Sequence, residues 1–228
     1  MSKLRPKDLT VIIPFYNEEP GLLDEIIKPL YAAGIDYIIV DDGSTVPLEY
    51  SKSIRRKKNK GYGAAIKYGI YHAKTQYVGL LDADNQYKAK DIVRMWEFHD
   101  QEDMIIGRRM INQGGPRRLL GRLFLKVVAF IFTGDYIPDL NSGIRIFKRT
   151  LAKKYFSILC DEFSFTTSLT ISFILDKYKV RWIDVGFYPR EGTSSTVHVV
   201  RHGLITLWQI VRISLGLRTR RFRAWLRK

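Results

Sequence analysis

The sequence predicts an α/β fold with a mainly parallel central sheet and helices on both faces. Three observations point there. Strand-like and helix-like segments alternate over residues 1–107. The strand-like runs are apolar almost without a break, which suits strands buried on both faces. Two of them end in acidic turns, Asp41-Asp42-Gly43-Ser44 and Asp82-Ala83-Asp84, at the strand ends where open parallel sheets collect their ligands.

The elements follow in order. Residues 9–15 are an apolar strand closed by Asn17-Glu18-Glu19-Pro20. Leu22, Leu23, Ile26, Ile27 and Leu30 then recur at helical period. Pro29 should kink or end that helix, because it lacks an N–H and crowds the preceding turn. Residues 37–40 form the second strand. Gly61-Tyr62-Gly63 opens a helix to about residue 74, followed by a strand over 76–81, a helix over 89–99 and a strand over 104–107. Beyond, 119–132 reads as an apolar helix carrying Arg122 and Lys126 at i, i+4. Strands are predicted over 144–147 and 180–187, with a helix over 167–178 between them. Residues 204–217 make an amphipathic helix that 218–228 continue as a basic end. No repeat or linker divides the chain.

At 228 residues with 46% apolar content, the chain suits a single sizeable core. A lone cysteine, Cys160, excludes an internal disulfide framework and reads as a buried small hydrophobe. Residues 1–10 are polar, so no secretory leader is expected. No apolar run approaches the ~18 residues that a membrane span needs. The formal charge is +15 and unevenly placed. Basic residues gather in 52–60, in the acid-free stretch between Asp103 and Asp135, and after Glu191. Such fields attract phosphates, whether of lipid, nucleotide or nucleic acid.

The acidic turns carry the candidate chemistry. Two carboxylates at i, i+2 after a buried strand, with the Gln86 amide oxygen two residues on, suit a hard cation that keeps positions for substrate oxygens. A carboxylate of Asp41-Asp42 at the other strand end suits hydrogen bonds from a base or ribose, and Gly43 permits the tight turn. Either turn alone is an ordinary loop signal.

Their order and spacing resemble a known family. Residues 11–19 (Val-Ile-Ile-Pro-Phe-Tyr-Asn-Glu-Glu), Val40-Asp41-Asp42-Gly43-Ser44, Asn59-x-Gly61-x-Gly63-Ala64-Ala65 and Asp82-Ala83-Asp84 are similar to the family 2 glycosyltransferases. Within it the chain resembles the dolichyl- and polyprenyl-phosphate sugar synthases, through Gly107-Arg108-Arg109, Asp139-Leu140-Asn141-Ser142-Gly143-Ile144-Arg145 and the Arg190-Glu191-Gly192-Thr193-Ser194-Ser195 turn. That branch carries Lys where Ser195 stands. The resemblance implies a GT-A fold and an inverting hexosyltransferase that uses a nucleotide-diphosphate sugar and Mg²⁺ or Mn²⁺. Pro14, Tyr16, Glu18, Val40 and Asp42 would hold the nucleoside. Asp82, Ala83, Asp84 and Gln86 would line the diphosphate, with Asp84 and Gln86 as metal ligands. Arg109 and Arg190 would face phosphates, and Asp84, Arg109 and Arg190 would carry catalysis. Arg118, Arg122, Ser142 and Arg145 would meet the acceptor phosphate.

The organisation expected is a transferase domain over 1–200 and a basic amphipathic helix over 201–228. That helix would seat the protein peripherally on an anionic, cytoplasmic membrane surface, with a polyprenyl-phosphate lipid as acceptor and room for a membrane-protein partner. An alternative is transfer to a glycan hydroxyl, with Asp161 or Glu162 as base. Another is a basic nucleic-acid-binding protein, although no nucleic-acid motif accompanies the charge and none is expected as partner.

Overall fold

A computed structural model describes residues 6–110, 116–189 and 199–225, with side chains over 7–110, 119–189 and 200–219. Seven strands form one sheet: β1 (Leu9–Phe15), β2 (Asp36–Asp41), β3 (Ser53–Arg55), β4 (Tyr77–Leu80), β5 (Met104–Arg109), β6 (Arg145–Lys148) and β7 (Val180–Val185). Their order is β3-β2-β1-β4-β6-β5-β7. All neighbouring pairs are parallel except the two made by β6, which runs against both β4 and β5.

β1 shows why its sequence is apolar throughout. Successive side chains point to opposite faces, and Ile12 joins one core while Val11 and Ile13 join the other. The second core lies under α1 (Leu22–Ala32) and α3 (Ala89–Trp96), which contribute Leu23, Ile26, Leu30, Ile92 and Met95. The first lies under α2 (Tyr62–His72), α4 (Pro116–Thr133), the short α5 (Arg149–Lys153), α6 (Phe165–Leu175) and α7 (Val199–Trp225).

Several expectations change. Pro29 neither ends α1 nor stops its last turn, since the helix runs on to Ala32. Only that turn lies beyond the missing N–H, and the exit is secured by Gly34 at φ 68 with Ile35 N donating to Leu30 O. β3, inside the basic run, was not foreseen. Every residue of α6 is buried, serines and threonines included. Four of their hydroxyls donate within the protein: Thr170 Oγ1 to Thr166 O (2.9 Å), Ser172 Oγ to Ser168 O (2.8 Å), Ser168 Oγ to Phe165 O (2.8 Å) and Thr167 Oγ1 to Asn141 Oδ1 (2.6 Å).

α7 packs on the domain along one side. Ile210, Ile213 and Leu217 are buried in the first core, and so are Thr206, Gln209 and Ser214. The helix packs on α6 and α4. Thr206 and Ser164 share a hydroxyl hydrogen bond of 2.8 Å, and Arg212 donates to Ile158 O. Among the described residues no helix is long and apolar enough to cross a membrane.

Candidate active site

The sheet register places both acidic turns beside the carboxyl end of β1. Phe15 stands opposite Asp41 of β2, and Ile12 opposite Leu80 of β4. With β1 between them, the Asp41-Asp42 turn leaves on one side and the Asp82-Ala83-Asp84 turn on the other. Pro14, Tyr16 and Glu18 lie at the end of β1 itself, Tyr16 exposed and Glu18 half-buried. Val40 and Ala83 are buried.

The two carboxylates of β2 divide their work. Asp41 is sealed inside and builds the turn, accepting from Ser44 N (2.8 Å), Leu48 N (3.3 Å) and Arg55 Nη1 (3.0 Å). Gly43 must be glycine: φ is 78, and a Cβ would stand 2.7 Å from Lys58 C. Asp42 accepts from Lys60 N (3.1 Å) and Gly61 N (2.9 Å) through Oδ2. Its Oδ1 lies 2.9 Å from Arg56 Nη1, close enough for attraction, yet no donor is aligned on it for a hydrogen bond. Burial raises the Asp42 pKa above its usual 3.8, against the pull of Lys60, Arg56 and Gly61. Thus part of the basic run read as a phosphate attractor is spent internally: Arg55 on Asp41, Arg56 on Asp42, and Lys52 on Asp36.

After β4, Asp82 Oδ1 accepts from the Tyr62 hydroxyl at 2.7 Å. Burial, then Asp82, holds the Tyr62 pKa well above 10. The other Asp82 oxygen lies so close to Gly143 that a Cβ there would stand 2.0 Å away. Asp84 is buried and accepts from Gln86 N at 3.2 Å. Gln86 is tied to the chain after β7, with Nε2 donating to Tyr188 O (3.2 Å) and Tyr188 N to Gln86 O (3.0 Å).

Arg109 ends β5 and forks onto Asp139, Nε to Oδ2 at 2.7 Å and Nη2 to Oδ1 at 2.6 Å. Burial works against its charge, but Asp139, Tyr87 and Asp82 outweigh that and raise its pKa. The guanidinium lies 5.2 Å over the Phe187 ring. It also lines a cavity of about 330 Å³ with Arg108, Met110, Leu119, Arg122, Leu123, Lys126, Tyr136, Pro138 and Asp139. Arg108 and Arg109 are each forked onto a carboxylate, Asp184 and Asp139, while Arg122 and Lys126 of α4 add positive charge to the opposite wall.

Two acceptor assignments are corrected. Ser142 and Arg145 are completely buried and present no surface to a phosphate. Arg145 donates from Nη1 to Thr166 O (2.8 Å) and Thr170 Oγ1 (3.0 Å), and from Nη2 to Ser142 O. Burial lowers its pKa to about 10, so it remains a cation at neutral pH. It ties the turn before β6 to α6. Ser142 Oγ donates to the Tyr87 hydroxyl at 3.3 Å. Arg190 and the Arg118 side chain lie outside the described residues. Asp161 is engaged by Lys67 Nζ at 2.7 Å, and Glu162 lies 3.7 Å from Arg201.

Three contributors escaped the sequence reading: Tyr62, Tyr87 and Asp139. Tyr62 and Asp139 sit inside motifs already singled out, and Tyr87 follows Gln86 directly, but the partners of all three were invisible in the sequence.

This arrangement defines a GT-A-like α/β transferase fold. A solved structure of glucosyl-3-phosphoglycerate synthase from Mycobacterium tuberculosis, in complex with Mn²⁺, UDP-glucose and phosphoglyceric acid, matches 90% of this chain and 79% of that one, with TM-score 0.71 at 15% identity. The model of Glycosyl transferase family 2 matches residues 10–156, and the chain belongs to that family. Similar proteins include a dolichyl-phosphate beta-glucosyltransferase of Trichomonas vaginalis, 27% identical across 83% of this chain and 68% of that protein. Another is the Drosophila melanogaster dolichyl-phosphate beta-glucosyltransferase, 28% identical across 78% and 68%. A third is a UDP-N-acetylglucosamine–dolichyl-phosphate N-acetylglucosaminyltransferase of Methanococcus voltae, 28% identical across 64% and 72%.

Proposed function

We propose that this glycosyltransferase moves a hexose, with inversion, from a nucleotide-diphosphate sugar to a polyprenyl phosphate, working peripherally at a cytoplasmic membrane surface. The observation that carries the reading is the division of the site. Acidic turns flank the end of β1, and a separate hollow is lined by the Arg109–Asp139 pair together with Arg122 and Lys126 of α4. The relatives named for dolichyl-phosphate substrates support the acceptor class.

On the donor side, the buried Asp42 Oδ1 is an acceptor that a base N–H or ribose hydroxyl would satisfy. Asp84 and Gln86 would hold Mg²⁺ or Mn²⁺. The donor set fits: Asp84 Oδ1 accepts from Gln86 N at 3.2 Å, so the two residues share one turn, and these cations need only one or two carboxylates when substrate oxygens and water complete the shell. The similar fold solved with Mn²⁺ and UDP-glucose supports the same choice. The cation supplies positive charge at the diphosphate.

On the acceptor side, Arg122 and Lys126 would hold the lipid phosphate while Arg109 and Arg190 steady the phosphates between. A phosphate monoester is largely dianionic near neutral pH, its second pKa being about 6, so it attacks without a general base. One displacement at the anomeric carbon inverts it. The arginines offset the repulsion of two anionic reactants and stabilise the leaving oxygen as charge develops on it.

The test is a panel of UDP- and GDP-sugars scored by thermal shift and transfer, with and without divalent cation and polyprenyl phosphate. At least one nucleotide should raise the melting temperature, more so with Mg²⁺ or Mn²⁺. Asp84→Ala should remove the cation's contribution. A chain that no nucleotide stabilises would refute the donor site.

A further inference from the structure

Among the described residues, nothing packs against one apolar face of α4. Its inner side is set by Leu125 and Ala129, both buried. At about 100° per residue, Leu120, Phe124, Val127 and Ile131 fall on the side diametrically opposite, with Leu123 and Phe130 on one flank. All six are 50% to 66% exposed. A helix that packs on a domain through one stripe carries polar residues on the other side. Here the outward side is the apolar one, and a contiguous exposed apolar patch marks an interaction surface.

We propose that this outward face of α4 inserts into the headgroup region of an anionic lipid bilayer, with the helix lying in the membrane plane. Charge selects the occupant. No acidic residue occurs between Asp103 and Asp135, and α4 carries Arg122 and Lys126 on the flank toward the cavity. Such a surface complements anionic headgroups. It repels a second copy of itself, since each chain carries +15. Continuity with the cavity points the same way. Leu119, Arg122, Leu123 and Lys126 of α4 form one wall of the cation-lined hollow. A lipid with its phosphate in that hollow would trail its hydrocarbon along the same helix. This last step rests on the proposed acceptor, whereas the exposed face and its charge do not. α7, the anchor expected from sequence, has its core-facing side already occupied.

The full chain is mixed with vesicles of phosphatidylcholine containing about one third phosphatidylglycerol, and its co-flotation is measured. Pure lipid vesicles carry no protein partner, so binding identifies the bilayer itself. The wild type should float. The double variant Phe124→Ser, Ile131→Ser should partition at least ~30-fold more weakly, with its melting temperature and nucleotide response kept. Transfer to a short-chain, water-soluble isoprenyl phosphate should be retained, while transfer to vesicle-borne acceptor falls with the partitioning. A wild type that stays in solution, a double variant that floats equally well, or a wild-type dimer that the double variant dissolves would each overturn the proposal. Failure of every nucleotide to stabilise the wild type would refute the donor site and leave the flotation result standing.

Discussion

Asp82 is gripped from two directions, by the Tyr62 hydroxyl at 2.7 Å and by the bare Cα of Gly143. The grip fixes where its carboxylate sits relative to Asp84 in the same turn. Gly143→Ala would place a methyl 2.0 Å from Asp82 Oδ2, and a short side chain cannot absorb that without leaving its rotamer. The expected result is a displaced carboxylate rather than an unfolded protein. Nucleotide-sugar affinity should fall roughly tenfold, equivalent to ~1.4 kcal/mol. Tyr62→Phe removes a hydrogen bond to a charged partner and should cost ~1.5–3 kcal/mol of stability by urea titration. A Gly143→Ala protein that binds nucleotide like wild type would show that Asp82 has no part in the donor site. The motif letters made Asp82 and Gly143 conspicuous separately. Their contact depends on β6 returning beside β4, which no local pattern announces.

At the scale of elements, the far end of the sheet is pinned by Asp103, just before β5. It accepts from Lys148 Nζ at the end of β6 (2.7 Å) and from Lys179 N before β7 (2.9 Å). Burial opposes its charge, yet the Lys148 and Lys179 interactions prevail and lower its pKa below 3.8, while Lys148 is raised above 10.5. A depressed carboxylate contributes stability that is present above its unfolded pKa and lost as pH falls through the folded one. A raised lysine contributes stability that is present below its unfolded pKa and lost as pH rises through the folded one. Asp103→Asn should therefore cost about 1–2 kcal/mol near neutrality, with the gap from wild type closing in acid and again in alkali. A gap independent of pH would rule out the ion pair as its cause. These elements also show what periodicity conveys. β1, β2 and β4 were legible because both faces are buried and the apolar run is unbroken. β3 was not, since three residues of an edge strand carry no period, and Arg55 with the following Arg56 serves Asp41 and Asp42. The antiparallel course of β6 was equally hidden, because strand direction is set by tertiary connection and not by composition.

The whole molecule turns on how α7 is used. Its sequence looks like a surface helix because Gln209 and Arg212 interrupt the apolar run, but both are accommodated inward. Gln209 Oε1 accepts from Arg212 Nη2 at 2.8 Å, and the same nitrogen donates to Ile158 O. Arg218 Nη2 reaches Phe132 O at 2.8 Å, binding the helix to the end of α4. Hydropathy alone could not separate a helix that lies on a membrane from one that closes a core. The distinction is testable by paired substitutions. Burying Ile210 or Ile213 is worth ~1.5–3 kcal/mol each, and truncation adds a cavity cost, so Ile210→Ala and Ile213→Ala should each destabilise by about 2–5 kcal/mol. Against a net stability of roughly 5–15 kcal/mol, the two together should leave little folded protein at ambient temperature. Trp208→Ser and Leu204→Ser, on the exposed side of the same helix, should leave the urea midpoint within experimental error. A detachable anchor would give the opposite result: both sets neutral in urea, with only vesicle binding affected. The buried residue just before α6 supplies a second reading of the same core, because the hydroxyl of Ser164 meets Thr206 of α7 at 2.8 Å where both side chains are buried. Thr206→Val would leave that hydroxyl without its cross-helix partner and should cost ~1–3 kcal/mol, whereas a solvated helix would tolerate it.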